Sequence, residues 1–328
     1  MAAIDWLLNW SPNSERMHQV VLAGLFQHTS LLRKLDIDGI PTQGLATETQ
    51  GRLFDFTVPM NTGQNIQIEL KLDARLGEDQ IYRQLASVKN SNDILLYVLL
   101  GITQFCCSPT KIEALLTAQS MRQPSNIRVV DLSRMLSAVN SLAAETRNPD
   151  QRDLAVAYGS LLRRIQESHT AFAAKTLTEW EWADWFGFYN KLRTDLQIAC
   201  EMDYVANPSG GFVGCWWGNL TKPNDECGFY LQLEGDKLCF KVSICDRHRT
   251  SASARRDRFS EAVLAAATGF SVKKPSRFGK GTWMTVAVFD GDYRASAGKN
   301  ELDWQYTATI LATAEEVLKA AVHRYNAS

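Results

Sequence analysis

The stretch ILLYVLL at residues 94–100 is the feature that most constrains how this chain folds. It is far too short to cross a bilayer, which takes about 20 apolar residues as a helix. A strand that is apolar at every position has to be covered on both faces, as in sheets that carry helices on either side. The stretch therefore predicts an α/β layer structure around a buried strand.

Helices and strands alternate around that stretch. The first helix begins near Ser14, where Asn13 or Ser14 is a candidate N-cap. The turn-rich segment 59–63 separates the next two strands. The order of elements is α-β-β-α-β-α-β-α, which predicts a mixed sheet flanked by helices. The expected ranges are a helix to about His28, strands at 52–58 and 66–72, a helix at 77–87, the strand 94–100, a helix at about 110–119, a strand at 127–130 and a helix capped by Asp131.

The breaker-rich step Arg147-Asn148-Pro149-Asp150 predicts a domain boundary. The two expected domains are residues 1–150 and residues 151–328, the second a helical linker followed by a smaller α+β domain. Two strands that alternate on either side of Gly235-Asp236 predict a hairpin. The expected ranges are helical stretches to about Asp203, hairpin strands at 229–233 and 238–242, a helix at 256–268, a strand at 283–289 and a helix at 313–325.

Composition is that of a globular protein. Of the 328 residues 45% are apolar and 22% are charged, and the formal net charge is −1. The first residues carry no basic segment followed by an apolar run, so we expect a cytoplasmic protein without a membrane partner. Without net positive charge the chain does not resemble a protein that coats nucleic acid, although an enzyme with a local cleft needs no such charge.

The cysteines and histidines indicate no zinc site. Seven cysteines and five histidines are scattered, and no pair of cysteines has C-x-x-C spacing. We expect reduced and mostly buried thiols. The cysteines are Cys106, Cys107, Cys200, Cys215, Cys227, Cys239 and Cys245.

Two carboxylates are placed symmetrically about the first predicted turn. Asp55 lies seven residues before Thr62 and Glu69 lies seven residues after it. A turn centred there sets the two side chains opposite each other, about 5 Å apart at Cβ. Carboxylates so close repel each other unless a cation neutralises them. Mg²⁺ favours such oxygens and completes its shell with water and phosphate.

Lys71 follows Glu69 by two residues and so projects from the same face of the strand. An ammonium beside a metal ion can orient a water molecule and stabilise the charge that builds up in phosphodiester hydrolysis. The carbonyl of Leu70 is a further candidate ligand. The hairpin therefore predicts a Mg²⁺ (or Mn²⁺) site bound by Asp55, Glu69 and the Leu70 backbone carbonyl.

The segment GRLFDFTVPMNTGQNIQIELKLDARLGEDQIYRQL resembles the core of the PD-(D/E)xK nuclease superfamily, which has the restriction-endonuclease-like fold. Asp55, the strand ending in Glu69-Leu70-Lys71 and the helix after Gly77 match the family pattern. The resemblance covers roughly residues 10–135. It departs at Phe54, where the family often has proline.

The resemblance implies roles for five residues. Asp55 and Glu69 would bind metal, and Lys71 would serve the attacking water. Glu15 would assist the metal or the water from the preceding helix, although an acidic residue in a first helical turn is favoured without any function. Gln84 would support the site from the helix after the lysine, although it would equally suit a solvent-facing position; Gln80 is the alternative candidate.

The resemblance implies a metal-dependent nuclease that hydrolyses DNA, with RNA as an alternative substrate and bacterial defence against foreign DNA as a context. The second half would then bind substrate, form a homodimer or sense a trigger. One competing interpretation is a catalytically inactive nuclease fold that binds nucleic acid or a protein partner. Another is an interaction protein whose tryptophan-rich half carries the function.

Three other features are more typical of structure than of function. His18 could approach the site, but a packing or surface histidine is the simpler interpretation. The group from Trp180 to Trp185 suits a core or a subunit interface. Two basic clusters could bind phosphates but equally suit solvated loops; they are Arg247-His248-Arg249 with Arg255-Arg256, and Lys273-Lys274 with Arg277 and Lys280.

Overall fold

The chain divides into two structural units between His169 and Thr170. The computed structural model describes residues 14–42, 46–47, 53–72, 76–88, 90, 92–101, 104, 112, 127–205, 211–221, 227–245, 250–279 and 281–327. The boundary predicted at residue 150 falls at the start of a helix, Pro149–Ser168, which belongs to the first unit.

A mixed sheet forms the centre of the first unit, as the order of elements predicted. Its strands lie side by side in chain order: the first three are antiparallel, and the third, fourth and fifth are parallel. Parallel neighbours need crossover connections, which accounts for the helices between them. The strands are β1 (Ala46–Thr47), β2 (Phe56–Pro59), β3 (Asn65–Lys71), β4 (Ile94–Leu99) and β5 (Ile127–Asp131).

Five described helices flank this sheet: α1 (Glu15–Leu25), α2 (Thr29–Lys34), α3 (Glu78–Ser87), α4 (Leu132–Glu145) and α5 (Pro149–Ser168). Ser14 caps α1 by accepting from the Met17 N–H, and Asp131 caps α4. The single helix predicted to His28 is wrong in extent, because α1 ends at Leu25 and the separate α2 follows an extended His28. Apart from Ile112, the helix predicted at 110–119 lies outside the described residues.

Strand β4 is buried on both faces, which confirms the interpretation of the apolar stretch. Leu96, Val98 and Leu100 join the main core, which includes residues of α1, α4 and α5. Leu95, Tyr97 and Leu99 join a smaller cluster with residues of α3. Burial of each leucine side chain stabilises the fold by roughly 1.5–3 kcal/mol, so this strand anchors both layers.

The second unit contains a six-stranded antiparallel sheet in the order β10-β11-β9-β8-β7-β6. The hairpin predicted around Gly235 is confirmed: Glu234 pairs with Lys237, and Gly235 has the left-handed φ of 60° that favours glycine. The strands are β6 (Glu201–Val205), β7 (Phe212–Thr221), β8 (Cys227–Glu234), β9 (Lys237–Ile244), β10 (Val272–Lys273) and β11 (Trp283–Phe289).

The described part of this unit also includes the 3₁₀ helices Ala171–Ala174 and Leu177–Glu179 and the α-helices α6 (Trp182–Asp195), α7 (Ala252–Ala266) and α8 (Trp304–Ala327). Helices α7 and α8 pack on the sheet through Phe259 and Tyr325, whose rings contact Phe229 of β8 at centroid distances of 4.3 and 5.0 Å. No helix among the described residues has both the length and the apolar character needed to cross a membrane.

Two predicted helix limits in this unit are wrong. The helical region predicted to Asp203 ends at Asp195, and Asp203 lies in β6, because pairing with β7 outweighs local preference. The last helix begins at Trp304 rather than Thr313, since Asp303 accepts a hydrogen bond from the Tyr306 N–H at the helix start.

The predicted tryptophan group divides between core and surface. Trp180 is buried and packs edge-on against Trp185 at 4.9 Å between ring centroids. The guanidinium of Arg294 lies over both rings, 4.9 Å from that of Trp180 and 4.6 Å from that of Trp185. Trp182, in contrast, is exposed. The predicted core role therefore holds for Trp180.

Candidate functional site

The hairpin β2–β3 has the register that brings the two predicted carboxylates together. Phe56 pairs with Ile68 and Thr57 with Gln67, so the pairing is symmetric about the turn at Thr62. Asp55 lies one residue before the first of these pairs, and its N–H donates to the Ile68 carbonyl over 2.9 Å. A slip of one residue would have turned one carboxylate to the opposite face.

The two faces of β3 have opposite chemistry. Ile66, Ile68, Leu70 and Leu72 belong to the main core. Glu69 and Lys71 alternate with them and therefore lie on the other face, where α3 packs. Both are nevertheless buried, with 3% and 9% of their surface exposed. Burial of a charge costs free energy unless it is paired, so these two side chains need partners.

Glu69 is held by three donors. Its Oε1 accepts from Gln80 Nε2 at 2.6 Å and lies 2.5 Å from Lys71 Nζ. Its Oε2 accepts from Gln84 Nε2 at 2.7 Å. Gln80 and Gln84 are four residues apart and so lie on one face of α3. Both glutamines considered from the sequence therefore hold the predicted metal ligand.

Glu15 reaches the same place from the start of α1. Its Oε1 lies 3.6 Å from Lys71 Nζ, and its Oε2 accepts from the Leu72 N–H at 3.3 Å. The structure thus brings together the four predicted charged residues, which we call the carboxylate cluster: Glu15, Asp55 and Glu69 around Lys71.

Asp55 is fixed by a backbone donor on the facing strand. Its Oδ2 accepts from the Leu70 N–H at 2.7 Å. The predicted role of Leu70 concerns its carbonyl, whereas this contact is made by its N–H. The bond sets the Asp55 carboxylate beside the segment that carries Glu69 and Lys71.

The electrostatics of the cluster follow from burial and an excess of acid. Burial and the negative charge of Glu69 raise the pKa of Asp55 from 3.8 to about 7. Burial also raises the pKa of Glu69, against the opposing effects of Lys71 and the two glutamines. For Lys71, burial acts to lower the pKa, but the neighbouring carboxylates outweigh it and the pKa is raised. Lys71 is therefore a persistent ammonium.

A hard divalent cation fits the donors that are present. Carboxylate and carbonyl oxygens are the ligands that Mg²⁺ prefers, and burial, together with the charge of Glu69, raises the pKa of Asp55. Among the described residues, no group of three or more His, Cys, Asp or Glu side chains is arranged to hold a metal. The predicted set has two such side chains, which suits an ion that keeps several waters.

Two contacts at the site were not predicted from the sequence. Gln84 Nε2 also donates to the Leu53 carbonyl at 2.7 Å, and Tyr97 Oη donates to Gln84 Oε1 at 3.1 Å. Tyr97 lies beside Glu69 in the parallel pairing of β3 with β4. The apolar sequence of β4 does not show which face of the strand Tyr97 occupies. The parallel pairing of β4 with β3 would have shown it.

The remaining predicted features lie apart from this cluster. His18 is buried, and its Nδ1 is 2.9 Å from the Tyr158 hydroxyl, so it is a packing histidine. Four of the five described cysteines are buried, as expected; Cys106 and Cys107 lie outside the described residues.

The basic clusters are partly engaged within the second unit. Arg256 donates to the Gly279 carbonyl at 2.9 Å and lies over the Phe278 ring at 4.5 Å. Lys273 pairs with Asp290. The segment 247–249 and Lys280 lie outside the described residues.

Comparisons with known proteins add no assignment, because no family model, no curated protein and no solved structure matches the chain.

Proposed function

We propose that the first unit is a metal-dependent nuclease that hydrolyses phosphodiester bonds in DNA. The observation that carries the proposal is the carboxylate cluster itself: Glu69 and Asp55 adjoin Lys71 on one buried sheet face. A mixed sheet with this hairpin also fits a restriction-endonuclease-like core, which we propose as the finer fold. Defence against foreign DNA is a context that this activity would suit.

Each residue of the cluster has a part in this chemistry. Asp55, Glu69 and the Leu70 carbonyl would hold the divalent cation, which supplies Lewis-acid stabilisation of the phosphate oxygens. The Lys71 ammonium donates hydrogen bonds, so it orients water and stabilises developing negative charge rather than removing a proton. Glu15 keeps that ammonium in place through its 3.6 Å contact.

The carboxylate excess favours catalysis over a purely structural role. An ordinary ion pair needs one acid for each base, and here Lys71 interacts with Glu69, Glu15 and Asp55. A surplus of acid around one ammonium, with Glu69 buried and Asp55 and Glu15 partly buried, destabilises the metal-free protein. A binding module that has lost catalysis would have no use for this surplus, and the alternative interpretation therefore has less support.

The test incubates the purified full chain with circular DNA, linear DNA and RNA in Mg²⁺, in Mn²⁺ and in EDTA. We expect cleavage of DNA that needs the metal, and its loss in Glu69→Gln and in Asp55→Asn. Circular DNA distinguishes an endonuclease, which linearises it, from an exonuclease, which leaves it intact.

The matched control is Glu234→Gln, which removes a lysine-paired carboxylate in the second unit, where Glu234 Oε1 lies 2.8 Å from Lys241 Nζ. This variant should cleave as the wild type does. Wild-type protein that binds Mn²⁺ without cleaving any of the three substrates would favour the inactive binding module, and cleavage at the wild-type rate by Glu69→Gln would refute the proposed site.

A further inference from the structure

A buried chain of hydrogen bonds, which we call the relay, adjoins the carboxylate cluster. It connects Leu53, Gln84, Tyr97 and Glu69. The Gln84 side chain is fully buried, and its Nε2 lies 2.7 Å from both the Leu53 carbonyl and Glu69 Oε2. Its Oε1 accepts from Tyr97 Oη. A flipped amide would set an oxygen against two acceptors, so the surroundings permit one orientation only.

This relay joins the two strands that carry the metal ligands. Leu53 precedes Asp55 by two residues, and Glu69 lies on the facing strand. One amide group therefore ties the backbone just before Asp55 to the Glu69 carboxylate. The spacing between the two carboxylates needs support, because like charges in a buried place push each other apart in the absence of a cation.

Tyr97 fixes the remaining end of the amide. It is 1% exposed, and a buried hydroxyl needs a partner. Without this donor, Gln84 Oε1 would lose its 3.1 Å hydrogen bond, and the amide would be free to turn away from Glu69. The Tyr97 hydroxyl contacts Gln84, and Gln84 in turn donates to Glu69.

We propose that Tyr97 is a positioning residue: by holding Gln84, it keeps Asp55 and Glu69 at the separation that a divalent cation requires. This inference rests on the proposed function. It adds Tyr97, which lies outside the Glu69-Leu70-Lys71 pattern, to the residues of the site. Residues that orient metal ligands from behind typically contribute about 10- to 100-fold to metal affinity.

The test measures Mn²⁺ affinity by titration calorimetry in the full chain and in Tyr97→Phe, which removes the hydroxyl and keeps the ring. We expect about tenfold weaker binding, with kcat lowered and KM for DNA unchanged. In a Gln84→Met background, Tyr97→Phe should cause no additional loss, because the relay is already broken.

Tyr158→Phe is the matched control, since it removes a buried hydroxyl that contacts His18 in the same unit. It should leave Mn²⁺ affinity unchanged. If Tyr97→Phe binds Mn²⁺ as tightly as the wild type does, the positioning role is wrong while the proposed function stands.

A second measurement tests the relay independently of the proposed nuclease function. In EDTA, the decreases in Tm caused by Tyr97→Phe and Gln84→Met should not add in the double variant, since both break one network. Wild-type protein that binds no Mn²⁺ would overturn the proposed function and with it the role of Tyr97 in metal binding. Additive decreases in Tm would overturn the relay itself.

Discussion

Two buried lysines, one in each unit, show what separates a candidate site from a structural ion pair. Lys71 is 9% exposed and Lys241 is 8% exposed, and each lies on a strand of its sheet. Lys241 donates to Glu234 at 2.8 Å and to the Thr285 hydroxyl at 3.2 Å; we call these three residues the second lysine cluster. Burial alone does not distinguish the two lysines.

The difference lies in the number of acids. Lys241 forms an ion pair with one carboxylate, Glu234, so the second lysine cluster is balanced in charge. Lys71 forms ion pairs with two carboxylates, Glu69 at 2.5 Å and Glu15 at 3.6 Å, and the charge of Asp55 also acts on it. A balanced pair is complete as it stands, whereas an excess of buried acid calls for a further cation. The two clusters therefore differ in charge balance, whereas the burial of their lysines is alike.

The largest contrast is expected in catalysis. Lys71→Met should lower kcat of metal-dependent cleavage by about 10²- to 10³-fold, the usual effect of removing one group that stabilises transition-state charge. Lys241→Met should leave kcat unchanged. The measurement is cleavage of circular DNA at saturating Mn²⁺. An equal loss of activity in a folded Lys241→Met variant would show that the second lysine cluster takes part in the reaction.

Mn²⁺ should stabilise the protein through the carboxylate cluster and not through the second lysine cluster. At 100 times its Kd, Mn²⁺ should stabilise the protein by about 2.7 kcal/mol, seen as a higher Tm in the transition of the first unit. Asp55→Asn should abolish this shift, and Glu234→Gln should retain it. The shift should also grow as pH rises through about 7, where Asp55 loses the proton that competes with the metal. A shift that persists in Asp55→Asn would place the metal elsewhere.

Neutralising one acid should change stability in opposite directions in the two clusters. In EDTA at pH 8, Asp55→Asn should stabilise the protein by about 1–3 kcal/mol, allowing for solvent screening. Glu234→Gln should destabilise it by a similar amount, about 1–3 kcal/mol, since it leaves Lys241 without its counter-charge. Chemical denaturation measures both changes.

The raised pKa of Asp55 determines how the stability change caused by Asp55→Asn depends on pH. The pKa of Asp55 is about 7 in the folded protein, against its ordinary value of 3.8 in an unfolded chain. A raised folded pKa means that the contribution to stability is fully present below pH 3.8 and is lost as pH rises to about 7. The advantage of Asp55→Asn should therefore grow across this interval and then level off. A constant difference would mean that Asp55 does not titrate in this range.

The part of the site that follows local periodicity could be predicted from the sequence. Alternation along β3 placed Glu69 and Lys71 on one face, and the symmetric turn placed Asp55 nearby. Helical spacing would also have put Gln80 and Gln84 on one face. These inferences need only the geometry of a single strand, hairpin or helix.

The part that depends on distant pairing could not be predicted. Tyr97 meets Gln84 only because β4 lies parallel to β3. For the same reason the local sequence predicts helix as far as Asp203, where β6 lies, since the pairing of β6 with β7 is not visible in its own residues. The start of α8 was missed because nothing in the apolar pattern marks Asp303 as its capping residue.

The Leu70 N–H, which donates to the Asp55 carboxylate, can serve as a probe of the candidate site in hydrogen–deuterium exchange. This amide donates to a side chain, at 2.7 Å, so its protection against deuterium depends on that one carboxylate. Mass spectrometry of a peptide that covers residues 66–72 can follow its exchange rate while Mn²⁺ is added or Asp55 is substituted. Whatever changes the charge or position of Asp55 is thereby recorded by a backbone hydrogen at the centre of the E-x-K strand.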